Sequence, residues 1–178
     1  MAAIALADEL EIPFSKTIDA LKHFKGVGRR FETYKDLTFN KKTFTLVDDY
    51  GHHPVEIEAV LDAARDAYPD KSIYLVFQPH RFTRTRDCFN EFVRVLLKAD
   101  KVLLTEIYAA GEKVIPGINS VTMMNSMNKI ENKTYFEEDI VAIAKTALQQ
   151  IESDSILIIM GAGSVGRVTK DILSIVNS

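Results

Sequence analysis

The chain has 178 residues, 47% hydrophobic and 26% charged, enough apolar material for one well-buried domain with a short appendage. Its 22 Lys and Arg against 25 Asp and Glu leave a net charge of −3, which gives no electrostatic footprint for nucleic acid or an acidic membrane surface. Any anion it binds must be held by a local basic cluster, and a single cysteine, Cys88, excludes an intrachain disulfide.

The first 30 residues read as helix. Ile4, Leu6 and Leu10, then Ile18, Leu21 and Phe24, recur at helical spacing, and Gly26 and Gly28 end the pattern. Residues 1–7 are apolar but lack a basic n-region, and Asp8 and Glu9 follow at once, so the stretch reads as a helix and not a signal peptide. No apolar run approaches the roughly 20 residues of a membrane span, so a cytoplasmic location is expected, with neither membrane nor nucleic acid as partner. Two short helices cannot bury their apolar faces unaided, and Met1 falls inside the helical pattern without a cap. Residues 1–30 are therefore expected to be a remnant of an upstream domain plus a linker, and residues 31–178 a domain of their own.

From residue 31 the pattern alternates strand and helix. A first strand or hairpin is expected within residues 39–47, carrying Phe44, Leu46 and Val47. Residues 54–68 form a helix with Pro54 at its first position, Glu56 and Glu58 in its first turn, and an apolar stripe of Ile57, Val60, Leu61, Ala64 and Tyr68. Residues 73–77 are a continuous apolar strand, as expected where both sheet faces are covered. A helix over residues 85–98 turns Phe89, Phe92, Val93 and Leu96 inward; a short strand at residues 102–104 and a loop with Gly111, Pro116 and Gly117 follow. Then come a helix over residues 140–151, a strand over 156–160 and a last helix over 164–176. The expected fold class is α/β: a Rossmann-like three-layer domain, mostly parallel sheet with helices on both faces and room for an antiparallel edge strand. In such sheets ligands sit at the carboxyl ends of the strands.

Two connections carry chemistry at such ends. Residues 48–54 (DDYGHHP) place two carboxylates, a phenol and two imidazoles in one turn, and these are costly to bury without partners. Turn chemistry is the bland alternative, with His53 or Asp49 capping the helix; a metal site is weaker, because adjacent histidines rarely point at one ion. Residues 80–87 (HRFTRTRD) place Arg81 and Arg84 one turn apart at a helix start, where unpaired cations are unfavourable by roughly 0.3–1 kcal/mol each. A carboxylate or phosphate there removes that penalty; the alternative is ion pairs with Asp87, Glu91 or the Asp48–Asp49 pair. Residues 161–166 (GAGSVG) match GxGxxG, but only one helix follows before Ser178, so a tight turn and close helix–sheet packing are preferred to a dinucleotide site. Cys88 reads as a semi-buried thiol, His23 as a residue without a role, and Lys25, Arg29 and Arg30 as a hinge or a solvated linker.

GVGRRFE (residues 26–32), DDYGHHP, FQPHRFTRTRD (77–87), YAAGE (108–112), IPG (115–117) and the late GAGSVG occur in this order. Together they resemble the Mur ligases of bacterial peptidoglycan synthesis, and within that family the UDP-N-acetylmuramate–L-alanine ligases. The resemblance implies the third of three domains, Rossmann-like and amino-acid-binding, preceded by the last helices of the central ATP domain. It implies a full-length enzyme that uses ATP and Mg2+ to activate the muramate carboxyl as an acyl phosphate, which the L-alanine amine attacks. Arg81 and Arg84 would grip the alanine carboxylate with help from Tyr50 and His52; His52 would also be the base for the ammonium; Asp49 would contact the ATP ribose and Arg30 the nucleotide. No GxxxxGK[ST] loop occurs in these 178 residues, so the chain alone is expected to be inactive. The remaining alternatives are a non-catalytic small-anion module and the muropeptide-recycling ligase of the same family.

Overall fold

The computed structural model describes residues 2–23 and 27–178; Met1, Phe24, Lys25 and Gly26, which the helical reading of the first 30 residues includes, lie outside them. Helices α1 (Ala2–Glu9) and α2 (Phe14–His23) stand at the amino-terminal end. Neither closes a core: Leu6, Leu10, Phe14 and Leu21 are all exposed, and α2 buries none of its residues.

The α/β body is a six-stranded sheet in the order β1-β2-β6-β3-β4-β5. β1 (Glu32–Phe39) and β2 (Lys42–Asp49) form an antiparallel hairpin. Its two turn residues, Asn40 and Lys41, both take positive φ (48° and 66°), the backbone twist that a two-residue hairpin turn needs. The hairpin begins seven residues earlier than the sequence pattern suggests, because Asp36 (φ 56°) shifts the register between Tyr34 and Leu37 and breaks the alternation that marks a strand. β2, β6 (Ser155–Met160), β3 (Ile73–Phe77), β4 (Lys101–Leu104) and β5 (Thr134–Phe136) are mutually parallel.

The continuous apolar strands supply two cores at once. In β6, Ile156, Ile158 and Met160 face one way and Leu157 and Ile159 the other, since side chains alternate along a strand. The first face is covered by α3 (Pro54–Ala67), α5 (Phe89–Leu96) and α6 (Ser120–Asn128) through Ile57, Leu61, Phe92, Leu96, Met123 and Met127. The second is covered by α7 (Ile143–Gln150) and α8 (Gly166–Val176) through Ile143, Leu148, Val168 and Ile172. Each of these fully buried side chains contributes roughly 1.5–3 kcal/mol by leaving water.

Two departures from the sequence reading stand out. The single helix expected over residues 85–98 is two: α4 (Phe82–Asp87) starts three residues earlier, and the turn tightens at Cys88, whose N–H is shared between the carbonyls of Arg84 and Arg86 before α5 begins. The stretch after β4 also contains α6 and the short edge strand β5, which hydropathy alone leaves as loop.

Candidate functional site

Because β2, β6, β3 and β4 run in parallel, the loops that follow them gather along one edge of the sheet. The two connections singled out in the sequence therefore meet. The His52 and His80 ring centroids lie 5.6 Å apart, one from each loop.

The loop after β2 divides its residues between fold and site. Asp48 and Asp49 are 3% and 4% exposed. Asp49 spends both carboxylate oxygens on backbone donors, Oδ2 on the N–H of Phe31 (2.8 Å) and Oδ1 on that of Gly51 (2.7 Å). It thereby ties the segment before β1 to the loop after β2. His53 caps α3, and Glu56 completes the capping box by accepting from the N–H of His52 (2.9 Å) and His53 (3.1 Å). Burial pushes the Glu56 carboxyl up, but these two N–H groups, with the His52 and Arg30 charges, more than offset it, so its pKa ends below the usual value. Tyr50 and His52 are left facing the rim, ring edge to ring face at 5.6 Å. The guanidinium groups of Arg29 and Arg30 lie 5.3 and 5.6 Å from the Tyr50 ring centroid, within cation–π reach.

The loop after β3 is strained where it matters. Arg81 takes φ 75°, a conformation that costs a non-glycine residue about 1–3 kcal/mol and needs outside support. Support comes from the loop after β4. A parallel bridge joins His80 to Tyr108, in which the Arg81 N–H donates to the Tyr108 carbonyl (2.8 Å) and the Tyr108 N–H to that of Pro79 (2.8 Å). The Tyr108 and His80 rings stack at 5.4 Å. Arg84 reaches back, donating from Nη1 to the His80 carbonyl (3.1 Å) and lying 3.3 Å from its Nδ1. Guanidinium can only donate, so Nδ1 carries the lone pair. Burial, then the charges of Arg84, His52 and Arg81, hold the His80 pKa below the usual value, which keeps this imidazole neutral near pH 7.

The ion pairs offered as the bland alternative are only partly present. Arg86 pairs with Asp87 at 2.7 Å. Arg81 instead lies 3.5 Å from Glu112 Oε1, and its side chain is 48% exposed. The same Glu112 accepts from the N–H of Thr83 (3.0 Å) and from its hydroxyl (2.7 Å). The start of α4 thus already carries one carboxylate of the chain itself, held mainly by Thr83, while the Arg81 guanidinium beside it stays half exposed.

The glycine loop after β6 is filled from within. A Cβ on Gly166 would come within 2.5 Å of the Arg29 guanidinium, and one on Gly161 (φ 145°) within 2.9 Å of the Gln78 carbonyl. Arg29 donates to the Gly161 carbonyl (2.7 Å) and to Asp48 (3.0 Å), and Gln78 accepts from the Val165 N–H (2.9 Å). These glycines serve close approach, as the sequence reading prefers. Among the described residues, no group of three or more His, Cys, Asp or Glu could hold a metal ion, and no helix is long and apolar enough to cross a membrane. Cys88 is half-buried, its sulfur 4.0 Å from His53 Nε2.

Of the residues proposed from the sequence, Tyr50, His52, Arg81, Arg84 and Arg30 border one rim, whereas Asp49 is turned into the fold. Sequence reasoning assigned nothing to His80, Tyr108 or Glu112. The rule that ligands lie beyond the carboxyl ends of parallel strands, applied to β4 as well as β2 and β3, points to the last two.

Fold and rim together define an α/β lobe that presents guanidinium and imidazole groups beyond the ends of its central strands. The chain belongs to the family described as Mur ligase, glutamate ligase domain, whose model matches residues 29–163. It is 47% identical over 179 aligned residues to a UDP-N-acetylmuramate–L-alanine ligase of Cupriavidus metallidurans, covering 98% of this chain and 38% of that protein. The crystal structure of a UDP-N-acetylmuramate–alanine ligase from Thermotoga maritima superposes with a TM-score of 0.75 at 26% identity, over 96% of this chain and 35% of that one. A murein peptide ligase of Psychrobacter arcticus shares the fold at a TM-score of 0.69 and 18% identity, over 98% and 35%. The chain thus spans little more than a third of the length of the proteins it matches.

Proposed function

We propose that this chain is the carboxyl-terminal lobe of a cytoplasmic, ATP-dependent ligase that joins L-alanine to UDP-N-acetylmuramate through an acyl phosphate, a step of peptidoglycan synthesis. The observation that carries the reading is the meeting of the two loops, marked by the 5.6 Å between the His52 and His80 rings. It sets the loop of Tyr50 and His52 beside the loop of Arg81 and Arg84, which supports reading the two as halves of one carboxylate site.

Arg81 and Arg84 bind that carboxylate, which charge-assisted hydrogen bonds favour over an uncharged oxygen. Tyr50 and His52 line the opposite side. His52 Nδ1 lies 3.2 Å from the Tyr50 carbonyl, and donation to that oxygen leaves Nε2 with the lone pair that would take a proton from the alanine ammonium. Arg30, exposed beside Tyr50, is the group this chain offers to ATP. The ribose role that the resemblance gives Asp49 would draw on a carboxylate already holding two backbone donors; its first task is to fix the segment that carries Arg30. Residues 1–30 are assigned to the central ATP domain and the linker, on the exposed Leu6, Leu10, Phe14 and Leu21 of α1, α2 and the turn between them, with Arg29 anchoring the linker to the body, and residues 31–178 to the amino-acid-binding domain. Mg2+ and the triphosphate are cofactors of the full-length enzyme, since the 178 residues contain no GxxxxGK[ST] loop. Closure of this lobe over the ATP domain would bring alanine to the activated carboxyl and exclude water.

The test is phosphate release from ATP by the full-length protein, supplied with UDP-N-acetylmuramate and L-alanine together and each alone. Turnover requiring both is expected, with none from the 178-residue chain by itself. Turnover with a preformed peptide but not with alanine would replace this reading by the recycling ligase. Alanine binding without any turnover in the full-length protein would leave only an anion-binding module.

A further inference from the structure

We propose that Glu112 is a positioning residue for the amino-acid site, acting through Arg81: its carboxylate clamps the loop after β4 onto the start of α4 and fixes where the Arg81 guanidinium stands. The inference rests on the reading of Arg81 as the residue that binds the substrate carboxylate.

Three observations carry it. Glu112 makes both of its short contacts to one residue, accepting from the Thr83 N–H (3.0 Å) and hydroxyl (2.7 Å), which pins the first turn of α4. Its Oε1 also stands 3.5 Å from Arg81 Nη1, close enough to draw the guanidinium over but longer than a good hydrogen bond, so the fork keeps donors for another acceptor. The turn that delivers Glu112 is itself strained. Ala110 and Gly111 take φ 49° and 84°, and the Glu112 N–H closes the turn on the Ala109 carbonyl (3.0 Å). A left-handed alanine is maintained only where surrounding contacts over-determine it.

Arg81 is thus held at both ends by the same loop, its main chain by the Tyr108 carbonyl and its side chain by Glu112. The hydroxyl and N–H of Thr83, in that order, hold the Glu112 carboxyl below the usual carboxylate range, so the clamp stays ionised throughout the neutral pH range. A substrate carboxylate then meets a guanidinium already placed and does not have to gather a mobile one, which lowers the ordering cost of binding.

The experiment is a double-mutant cycle in the full-length ligase, reading KM for L-alanine and kcat separately. Glu112→Ala is expected to raise KM by about 5- to 10-fold with kcat within about twofold. Glu112→Gln, which keeps an acceptor for Thr83, should bring KM back to within about threefold of the parent. In the Arg81→Ala background the Glu112→Ala change should have no further effect on KM, because the residue through which it acts is gone. Amide exchange at Thr83 in the 178-residue chain should quicken in Glu112→Ala and stay slow in Glu112→Gln. A Glu112→Ala effect that persists undiminished without Arg81, or an unchanged KM with exchange accelerated, would reduce Glu112 to a helix cap and overturn the proposal. If Arg81→Ala alone leaves KM unchanged, the alanine-site reading fails, and this inference with it.

Discussion

Arg81→Ala in the full-length ligase is expected to raise KM for L-alanine by about 10- to 150-fold while leaving kcat within a few-fold, the factor that corresponds to losing a charge-assisted contact of roughly 1.5–3 kcal/mol. The split matters as much as the size. Arg81 would hold a carboxylate that takes no part in the reaction, so its contribution is the same before and during amide formation and shows as binding. Its surroundings suit it to that role: the side chain is 48% exposed, its acidic neighbour Glu112 stands at 3.5 Å, and the backbone is held at φ 75°. Nothing in the packing of α4 requires a guanidinium there, since the buried side chains of that helix are Phe82 and Thr85. Arg81→Lys should recover only part of the loss, because an ammonium lacks the planar fork. Initial-rate assays with alanine varied at saturating ATP and UDP-N-acetylmuramate decide the point. A KM that does not move would remove Arg81 from the site.

Arg84→Ala is expected to be less clean, since that side chain also donates to the His80 carbonyl and keeps the neutral His80 ring in place.

The sequence shows the outline of this arrangement better than its interior. The runs at residues 73–77 and 156–160 read as buried strands because both of their faces are apolar, and the two cores bear that out. Helix α6 escapes because its apolar side chains are mostly methionines among Ser, Thr and Asn, and just two of them, Met123 and Met127, are buried together with Ser120. Its start does carry a signal: Asn119 caps it by accepting from the Thr122 N–H at 2.7 Å. The three residues of β5 are too few for alternation to register. Strand order is illegible for a different reason: β6, last in the chain, sits at the centre of the sheet, and nothing local encodes which strands it pairs with. At the rim, charge spacing in residues 80–87 draws attention to the arginines, but nothing in residues 48–49 tells that Asp49 accepts from two backbone N–H groups. A carboxylate in a turn has the same sequence signature whether it faces the solvent or ties two segments together.

The neighbouring Asp48 is held by Arg29, whose loss should cost the domain stability. Asp48 is 3% exposed, and the guanidinium of Arg29 is its ion-pair partner at 3.0 Å. Removing one member of a buried pair leaves the other charge uncompensated, a cost of about 3–5 kcal/mol; with 26% of the Arg29 side chain exposed, the lower end, about 3 kcal/mol, is expected for Arg29→Ala. For a domain of this size that is a fall in Tm of about 6–12 °C. The pH dependence identifies the cause. Burial pushes the Asp48 carboxyl up even with Arg29 present, although the arginine hydrogen bond and charge oppose the shift. The native state therefore binds a proton more readily than the unfolded chain, and this group's contribution to stability falls as pH rises through the window between its ordinary and its raised value. Without Arg29 the native value rises further and the window extends upward. The deficit of the variant should then be largest near pH 7 and shrink as acid neutralises Asp48. Urea unfolding of the 178-residue chain at several pH values would measure it, and Asp48→Asn in the Arg29→Ala background should recover much of the loss at pH 7, because a neutral amide needs no counter-charge. A deficit independent of pH and unrelieved by Asp48→Asn would locate the damage elsewhere, in the emptied space between Gly161, Gly166 and the Tyr50 ring that the guanidinium fills.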